Sequence, residues 1–218
     1  MTLSDDPTLD EIRDALAPLV AANAAFDGWT ATARDLAAGS AGVDPDVAAL
    51  ALSDAAAMID AWFAAIDRDM LEAVPADRLA TMKVREKITT LVEARLTLLA
   101  PDREALRRAL AILALPPNLA RAARLGWRAA DAMWRAAGDN ATDYNHYTKR
   151  ATLGAIYAAT IAVFLDDASE GQADTRAFLA RRIDGLMRFE KAKAQFLARV
   201  EHRPSLTRFI GRLRYPAV

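Results

Sequence analysis

Apolar residues recur at positions i, i+3, i+4 and i+7 along nearly every segment of this chain, a spacing that places them on one face of a helix. No stretch alternates between apolar and polar residues for long enough to make a half-buried strand. A chain of 218 residues that is 53% hydrophobic also supplies a full core for one compact domain. The sequence therefore predicts an all-α protein.

Helix-capping residues and prolines divide this pattern into about ten helices. Thr8 with Glu11 forms a capping box, Thr30 caps a second helix, and Asp44 followed by Pro45 opens a third. Longer helices are predicted over residues 53–74, 77–100, 102–115, 118–137, 142–165 and 169–201, and a last helical segment over residues 204–218.

The second and third helices, joined by a glycine-bearing turn within residues 30–52, have the form of a helix-turn-helix. Contacts of lysine and arginine with phosphate dominate the affinity of such motifs for DNA. Residues 1–60 instead hold 11 Asp and Glu against two Arg, and Arg34 is the only cation of the motif. We therefore expect no DNA binding and interpret the motif as an inherited scaffold or as ordinary helical packing.

The opposite end of the chain is basic, with 11 Lys and Arg against three acidic residues over residues 176–218. Within residues 204–218, four large apolar residues share one helical face and three arginines flank it: Leu206, Phe209, Ile210 and Leu213, with Arg208, Arg212 and Arg214. This pattern is typical of a helix that lies in a membrane interface. The alternative is a helix that packs its apolar face on the protein's own core and leaves the arginines in solvent.

Few residues are suited to catalysis or to metal binding. The chain has no cysteine, and His146 and His202 are its only histidines. A ferritin-like di-iron centre requires Glu-x-x-His on two helices, whereas the chain offers only Asp143-x-x-His146. Glycine-rich phosphate loops and Ser/His/Asp arrangements are not apparent either. We expect no catalytic residue, no metal and no cofactor.

Two features bear on the cellular location. The longest uncharged apolar run, residues 151–165, has 15 residues, fewer than the roughly 20 that a membrane span needs. The first residues, MTLSDDPTLDEIRD, are acidic and lack the basic and apolar regions of a signal peptide. Together with the absence of cysteine, these features predict a cytoplasmic protein without a transmembrane helix.

The stretch GDNATDYNHYTKR, residues 138–150, interrupts the alanine- and leucine-rich pattern with polar residues, two tyrosines and a histidine. One interpretation is a helix start whose polar groups face solvent. The other is a recognition surface, because aromatic residues and arginine are enriched where proteins bind each other.

This stretch resembles the signature of the COQ9 family of ubiquinone (coenzyme Q) biosynthesis accessory proteins. The residues that carry the resemblance are Gly138, Asp139, Thr142, Asp143, Tyr144, Asn145, His146, Tyr147, Thr148, Lys149, Arg150 and Tyr157. It is specific over residues 138–195, and FDGWT (residues 26–30) and AGVDP (residues 41–45) extend it to the first part of the chain. Eukaryotic members carry tryptophan where this chain has His146.

The resemblance implies a fold like that of the TetR regulators, an unused helix-turn-helix and a homodimer formed by the last two long helices. It also implies an apolar pocket for an isoprenoid quinone precursor or a phospholipid. The protein would take up this lipid at the inner membrane, through peripheral contact of its last helix, and present it to the demethoxyubiquinone hydroxylase without doing chemistry itself. The alternatives are a TetR-type ligand-responsive regulator and an enzyme that acts on the precursor's ring.

Three sets of residues and three regions follow from these interpretations. The expected partner-binding residues are Asp143, Tyr144, Asn145, His146, Tyr147, Lys149 and Arg150, and the two tyrosines, His146, Lys149 and Arg150 are expected to be exposed. The expected lipid-binding residues are Met133, Trp134, Tyr157, Ile161 and Phe164, and the membrane-binding residues are those of the apolar and basic faces within residues 204–218. The regions are a helix-turn-helix-like subdomain (1–52), a lipid-binding and dimerisation domain (53–203) and the amphipathic helix (204–218).

Overall fold

The computed structural model describes residues 6–140, 142 and 144–201, which form ten α-helices and no strand. The helices are α1 (Leu9–Asp27), α2 (Ala31–Ala41), α3 (Pro45–Ala51), α4 (Ala55–Ala73), α5 (Ala76–Ala80), α6 (Val84–Leu99), α7 (Arg103–Leu113), α8 (Leu119–Ala136), α9 (Tyr144–Asp166) and α10 (Ala173–Glu201). Single 3-10 turns precede α8 and α10. The predicted all-α class is confirmed, and the segment predicted over residues 204–218 lies outside the described residues.

Local capping accounts for several helix starts. The Thr8 hydroxyl accepts from Glu11 N–H, and the Glu11 carboxylate accepts from Thr8 N–H, as the capping box predicted. The Asp44 side chain likewise caps α3, with Pro45 at its first position. Asn118 does not cap α8, because its side-chain amide donates to the carbonyl of Ile112 instead.

The helix predicted over residues 77–100 is divided into α5 and α6, so that prediction was wrong at its first turn. Lys83 has extended backbone torsions (φ −71°, ψ 155°) and ends the continuity of the helix. Its N–H donates to the Glu86 carboxylate at 2.9 Å, which satisfies a donor that the helix itself leaves free. Lysine is not among the usual capping residues, so the sequence carried no signal for this start.

The first three helices share their core with the rest of the described chain. Helix α1 packs against α2, α3, α4 and α7, and it buries Ile12, Leu16 and Val20 among them. The Trp29 indole N–H donates to the carbonyl of Ala105 at 3.0 Å, which ties the start of α2 to α7. The remaining core lies among α4, α6, α8, α9 and α10.

A buried aspartate joins α9 to α10. The Asp167 carboxylate accepts hydrogen bonds from the N–H and hydroxyl groups of Ser169 and Thr175. These hydrogen bonds hold the pKa of Asp167 well below the usual carboxyl range, because they favour its charged form. The connection leads into α10, which packs against α9 and α6.

No single helix within residues 6–140, 142 and 144–201 combines the length and the apolar composition that a membrane span needs. Helices α3 and α4, which meet at a 77° bend, pass the test of length and composition only when the two are taken together.

Candidate functional site

An apolar cavity of about 280 Å³ lies among α4, α6, α7, α8 and α9. Its walls are mostly aliphatic side chains, which α7, the start of α8 and the middle of α9 contribute. The larger of these are Leu110, Leu113, Leu119, Leu125, Tyr157 and Ile161. Leu119 is 55% exposed although it lines the cavity, so the cavity reaches the surface at the start of α8.

Two glycines shape the wall between α8 and α9. A Cβ atom built on Gly154 would lie 3.5 Å from the carbonyl oxygen of Gly126, so the two helix backbones approach closely there. A Cβ built on Gly126 would meet nothing within 4 Å. Because Gly126 also lines the cavity, the missing side chain at this position leaves space that a ligand can occupy.

One charged side chain lines this cavity, and it is almost fully buried. Arg95 is 2% exposed, its Nε donates to the Tyr157 hydroxyl at 2.9 Å, and its Nη1 is paired with the Asp67 carboxylate. Burial disfavours the charged guanidinium, but Tyr157 and Asp67 outweigh it and raise the pKa of Arg95. Asp67 also accepts from Arg128 Nε at 2.9 Å, and Arg128 reaches Asp60 at 2.5 Å. A permanent cation thus stands at the cavity wall, held by a network that extends to the surface.

A second group of side chains gathers at the start of α9. The rings of His146 and Tyr147 lie 5.1 Å apart, and that of Trp127 on α8 lies 6.2 and 6.0 Å from them, measured between centroids. Tyr147 is 61% exposed. We call these three side chains the aromatic cluster.

Ion pairs beneath the aromatic cluster fix its position. Arg150 bonds to the carboxylates of Asp131 and Asp139, and Lys149 bonds to Asp139 at 2.6 Å. Burial raises the pKa of each aspartate, but hydrogen bonds outweigh it and lower the pKa of both. Asp131 accepts from Arg150 and Arg135, and Asp139 accepts from Lys149 and Arg150. The network ties the end of α8 to the first turns of α9.

The aromatic cluster and the walls that α8 and α9 give to the cavity lie where the chain matches a family model. The COQ9 family model matches residues 119–190, which include α8, α9 and the first part of α10. The rat protein named ubiquinone biosynthesis protein COQ9, mitochondrial (Rattus norvegicus) is 35% identical over 167 residues, which are 73% of this chain and 54% of that protein. The human protein of the same name (Homo sapiens) is 35% identical over 167 residues, 73% of this chain and 52% of its own length.

The chain is therefore similar to COQ9 proteins over the part that these matches cover. It spans about half the length of the curated relatives it matches. Among solved structures, a TetR transcriptional regulator from Nitrosomonas europaea ATCC 19718 is similar to it with a TM-score of 0.63 and 25% identity, over 79% of this chain and 95% of the regulator. The TetR-like fold that the COQ9 resemblance implied is therefore confirmed.

The five expected lipid-binding residues do not all meet at the cavity. Tyr157 and Ile161 line it, whereas Met133, Trp134 and Phe164 are buried core residues outside its wall. The Trp134 indole N–H donates to the carbonyl of Lys149, and the Phe164 ring lies under the Arg103 guanidinium at 4.4 Å.

Sequence reasoning missed the leucines of α7, the two glycines and Arg95. Arg95 did carry a signal, since it stands four residues from both Leu91 and Leu99 on the inward face of its helix. Gly126 and Gly154 also interrupt otherwise regular helical patterns, as glycines at close helix approaches do.

The expected partner-binding residues are only partly at the surface. Tyr147 is exposed, while Asn145, His146 and Lys149 are half-buried. Arg150 was expected to be exposed and is 1% exposed, because its guanidinium turns inward to Asp131 and Asp139. Asp143 and the side chain of Tyr144 lie outside the described part of the structure.

Proposed function

We propose that this protein is a lipid-binding accessory protein of ubiquinone biosynthesis. It takes up a polyprenylated quinone precursor at the membrane and presents it to the hydroxylase that acts on demethoxyubiquinone. The names of the rat and human relatives support the pathway. The observation that carries the lipid-binding part is the cavity of about 280 Å³ with its apolar walls.

The size of the cavity limits how much of the lipid it holds. An apolar cavity of ~150 Å³ takes up benzene, so this one has room for a substituted ring or for the first part of a prenyl chain. Each CH₂ group left in water costs about 0.8 kcal/mol, so the rest of the chain has to stay in contact with lipid or protein. Leu119 at the opening and Leu115 beside it, 55% and 53% exposed, offer apolar surface there.

The lipid part of the proposal predicts what the purified protein carries. Mass spectrometry of its organic extract is expected to find an isoprenoid compound with a benzenoid ring. An extract that holds phospholipid alone, or no lipid, would contradict the proposed cargo.

Contact with the membrane is assigned to the amphipathic segment of residues 204–218. Each arginine near anionic lipid contributes about 1 kcal/mol, and its four large apolar residues add to this. A chain truncated after His202 is therefore expected to float less with vesicles that contain anionic phospholipid than the full chain does. Equal flotation of both chains would remove the segment from the proposal.

The aromatic cluster is the part of the surface that we assign to the hydroxylase. Tyr147→Ala is expected to weaken binding of the hydroxylase roughly 30-fold, the loss of about 2 kcal/mol that defines an aromatic hot spot. Phe26→Ala serves as the matched control, because Phe26 is 85% exposed on α1, outside the cluster. Titration calorimetry with the purified hydroxylase measures both variants, and equal affinities would exclude Tyr147 as an anchor.

A homodimer formed by α9 and α10 belongs to the same proposal. The outward face of α9 carries exposed alanines, which permit close helix packing, among them Ala151, Ala155, Ala159 and Ala162. Sedimentation analysis of the full chain is expected to give the mass of a dimer.

The similarity to a TetR regulator makes DNA binding the second candidate function. The charges of α2 and α3 oppose it. Arg34 has a largely buried side chain that pairs with Asp35 at 2.9 Å and reaches the carbonyl of Leu52, so it is not available to phosphate. A gel-shift experiment at low salt is expected to show no sequence-specific complex.

Turnover of the quinone precursor by the protein without the hydroxylase would favour the third alternative, an enzyme.

A further inference from the structure

The polar side-chain atoms of the cavity are confined to one place. Arg95 and Tyr157 supply all of them, and every other lining residue has a hydrocarbon side chain or none. The two groups are in direct contact, with 2.9 Å between Nε and the hydroxyl oxygen and 5.2 Å between the guanidinium carbon and the ring centroid. The cavity thus has one polar end in an otherwise apolar enclosure.

Stability alone does not call for a cation at this position. Buried ion pairs are often replaceable by hydrophobic residues without loss of stability, since desolvation of the charges offsets their attraction. Arg95 nevertheless lies on the inward face of α6, between Leu91 and Leu99, where an aliphatic residue would continue the core. Interaction with a ligand inside the cavity explains the presence of Arg95 better than core packing does.

The hydrogen-bonding capacity of the pair is only partly used. Arg95 donates through Nε to Tyr157 and through Nη1 to Asp67, and its Nη2 makes no hydrogen bond with the residues that the structure describes. The Tyr157 hydroxyl accepts from Arg95, which leaves its own proton free, and within the described chain this proton has no acceptor. What the pair offers a ligand is therefore mainly hydrogen-bond donors and positive charge.

We infer that Arg95 and Tyr157 form the headgroup end of the cavity and select lipids that carry oxygen acceptors on a ring. This inference rests on the proposed lipid-binding function and specifies the chemical class of ligand that the cavity binds. A quinone carbonyl or methoxy oxygen accepts from both donors, whereas a hydrocarbon leaves them unsatisfied and an ammonium headgroup is repelled by the guanidinium. The volume fits a single substituted ring.

The assignment also gives the ligand a direction. The ring lies at Arg95 and Tyr157, and the isoprenoid chain leaves toward Leu119, where the cavity reaches the surface. A ring held in this way is shielded from water and has to be withdrawn before another protein can act on it.

Tyr157→Phe tests the inference, because it removes one hydroxyl and keeps the aromatic ring. Binding of two probes of similar length to the whole chain is measured: a ubiquinone with two isoprene units, and the oxygen-free isoprenoid hydrocarbon farnesene. The variant is expected to bind the quinone about ten-fold more weakly, the loss of one buried hydrogen bond, and farnesene within two-fold of the unchanged protein. Farnesene binding by the variant also shows that the cavity is still formed.

Ile161→Val is the matched control, since it alters the cavity wall without touching a polar group. It is expected to change the affinities for the quinone and for farnesene by the same factor. If Tyr157→Phe changes both affinities equally, or neither, the assignment of the polar end is overturned while lipid binding stands. If the unchanged protein binds neither probe, the proposed function fails as well.

Discussion

Asp67→Ala is expected to lower the free energy of unfolding by about 3–5 kcal/mol, the usual cost of removing one partner from a buried ion pair. Asp67 accepts hydrogen bonds from two arginines. One of them, Arg95, is 2% exposed, so water cannot solvate its guanidinium once the carboxylate is removed. Its other polar neighbour, Tyr157, contributes a hydroxyl group and no carboxylate. Urea unfolding followed by circular dichroism measures the change.

Asp60→Ala is the control for this prediction. Asp60 pairs with Arg128 at the outer end of the same network, where both side chains are about 40% exposed or more. Exposed pairs of this kind contribute only about 0–1 kcal/mol. If Asp67→Ala and Asp60→Ala have equal effects, the network is not the buried support of the cavity wall that we describe.

Gly126→Leu is expected to weaken quinone binding by about 10- to 100-fold and, at the same time, to raise stability. A leucine at this position fits without a clash at its Cβ and extends into the cavity, where its burial contributes roughly 1.5–3 kcal/mol that a ligand has to overcome. Replacing glycine within a helix adds about 0.8–1 kcal/mol of helix propensity. Most cavity-lining substitutions lower both stability and binding, so the opposite signs identify occupation of the cavity as the cause.

Gly39→Leu provides the matched comparison. Gly39 lies in α2, its Cβ position is also open, and it does not line the cavity. Gly39→Leu is expected to gain the same stability from helix propensity, while its affinity for the quinone, measured by fluorescence titration, stays unchanged. Undiminished quinone binding by Gly126→Leu would mean that the lipid binds elsewhere.

Helix starts show which features of the fold could be predicted from local residues. Thr8 with Glu11, and Asp44 with Pro45, act within one turn, so their effect is present in the sequence and the structure confirms it. The break before α6 uses a lysine and a glutamate three residues later, a combination that occurs throughout solvated helices. Nothing local distinguishes it, and the predicted helix ran through it.

The cavity shows where local reasoning ends. Tyr157 and Met133 are both large residues on inward helix faces, yet only Tyr157 lines the cavity. The rotation of α8 and α9 about their axes decides this, and it is set by packing against α4, α6 and α7. The same holds for Arg150, whose buried state depends on carboxylates 19 and 11 residues away.

Periodicity and capping determined that this chain is a bundle of about ten helices, and the composition of residues 138–150 determined its likeness to the COQ9 family, because both depend on residues close together in sequence. Tertiary structure alone decided that an arginine faces an apolar cavity and that a second arginine is buried under the aromatic cluster. The reason is energetic. A guanidinium remains charged in the interior only when carboxylates or hydroxyls from other helices contact it there, and no pattern of neighbouring residues predicts such contacts.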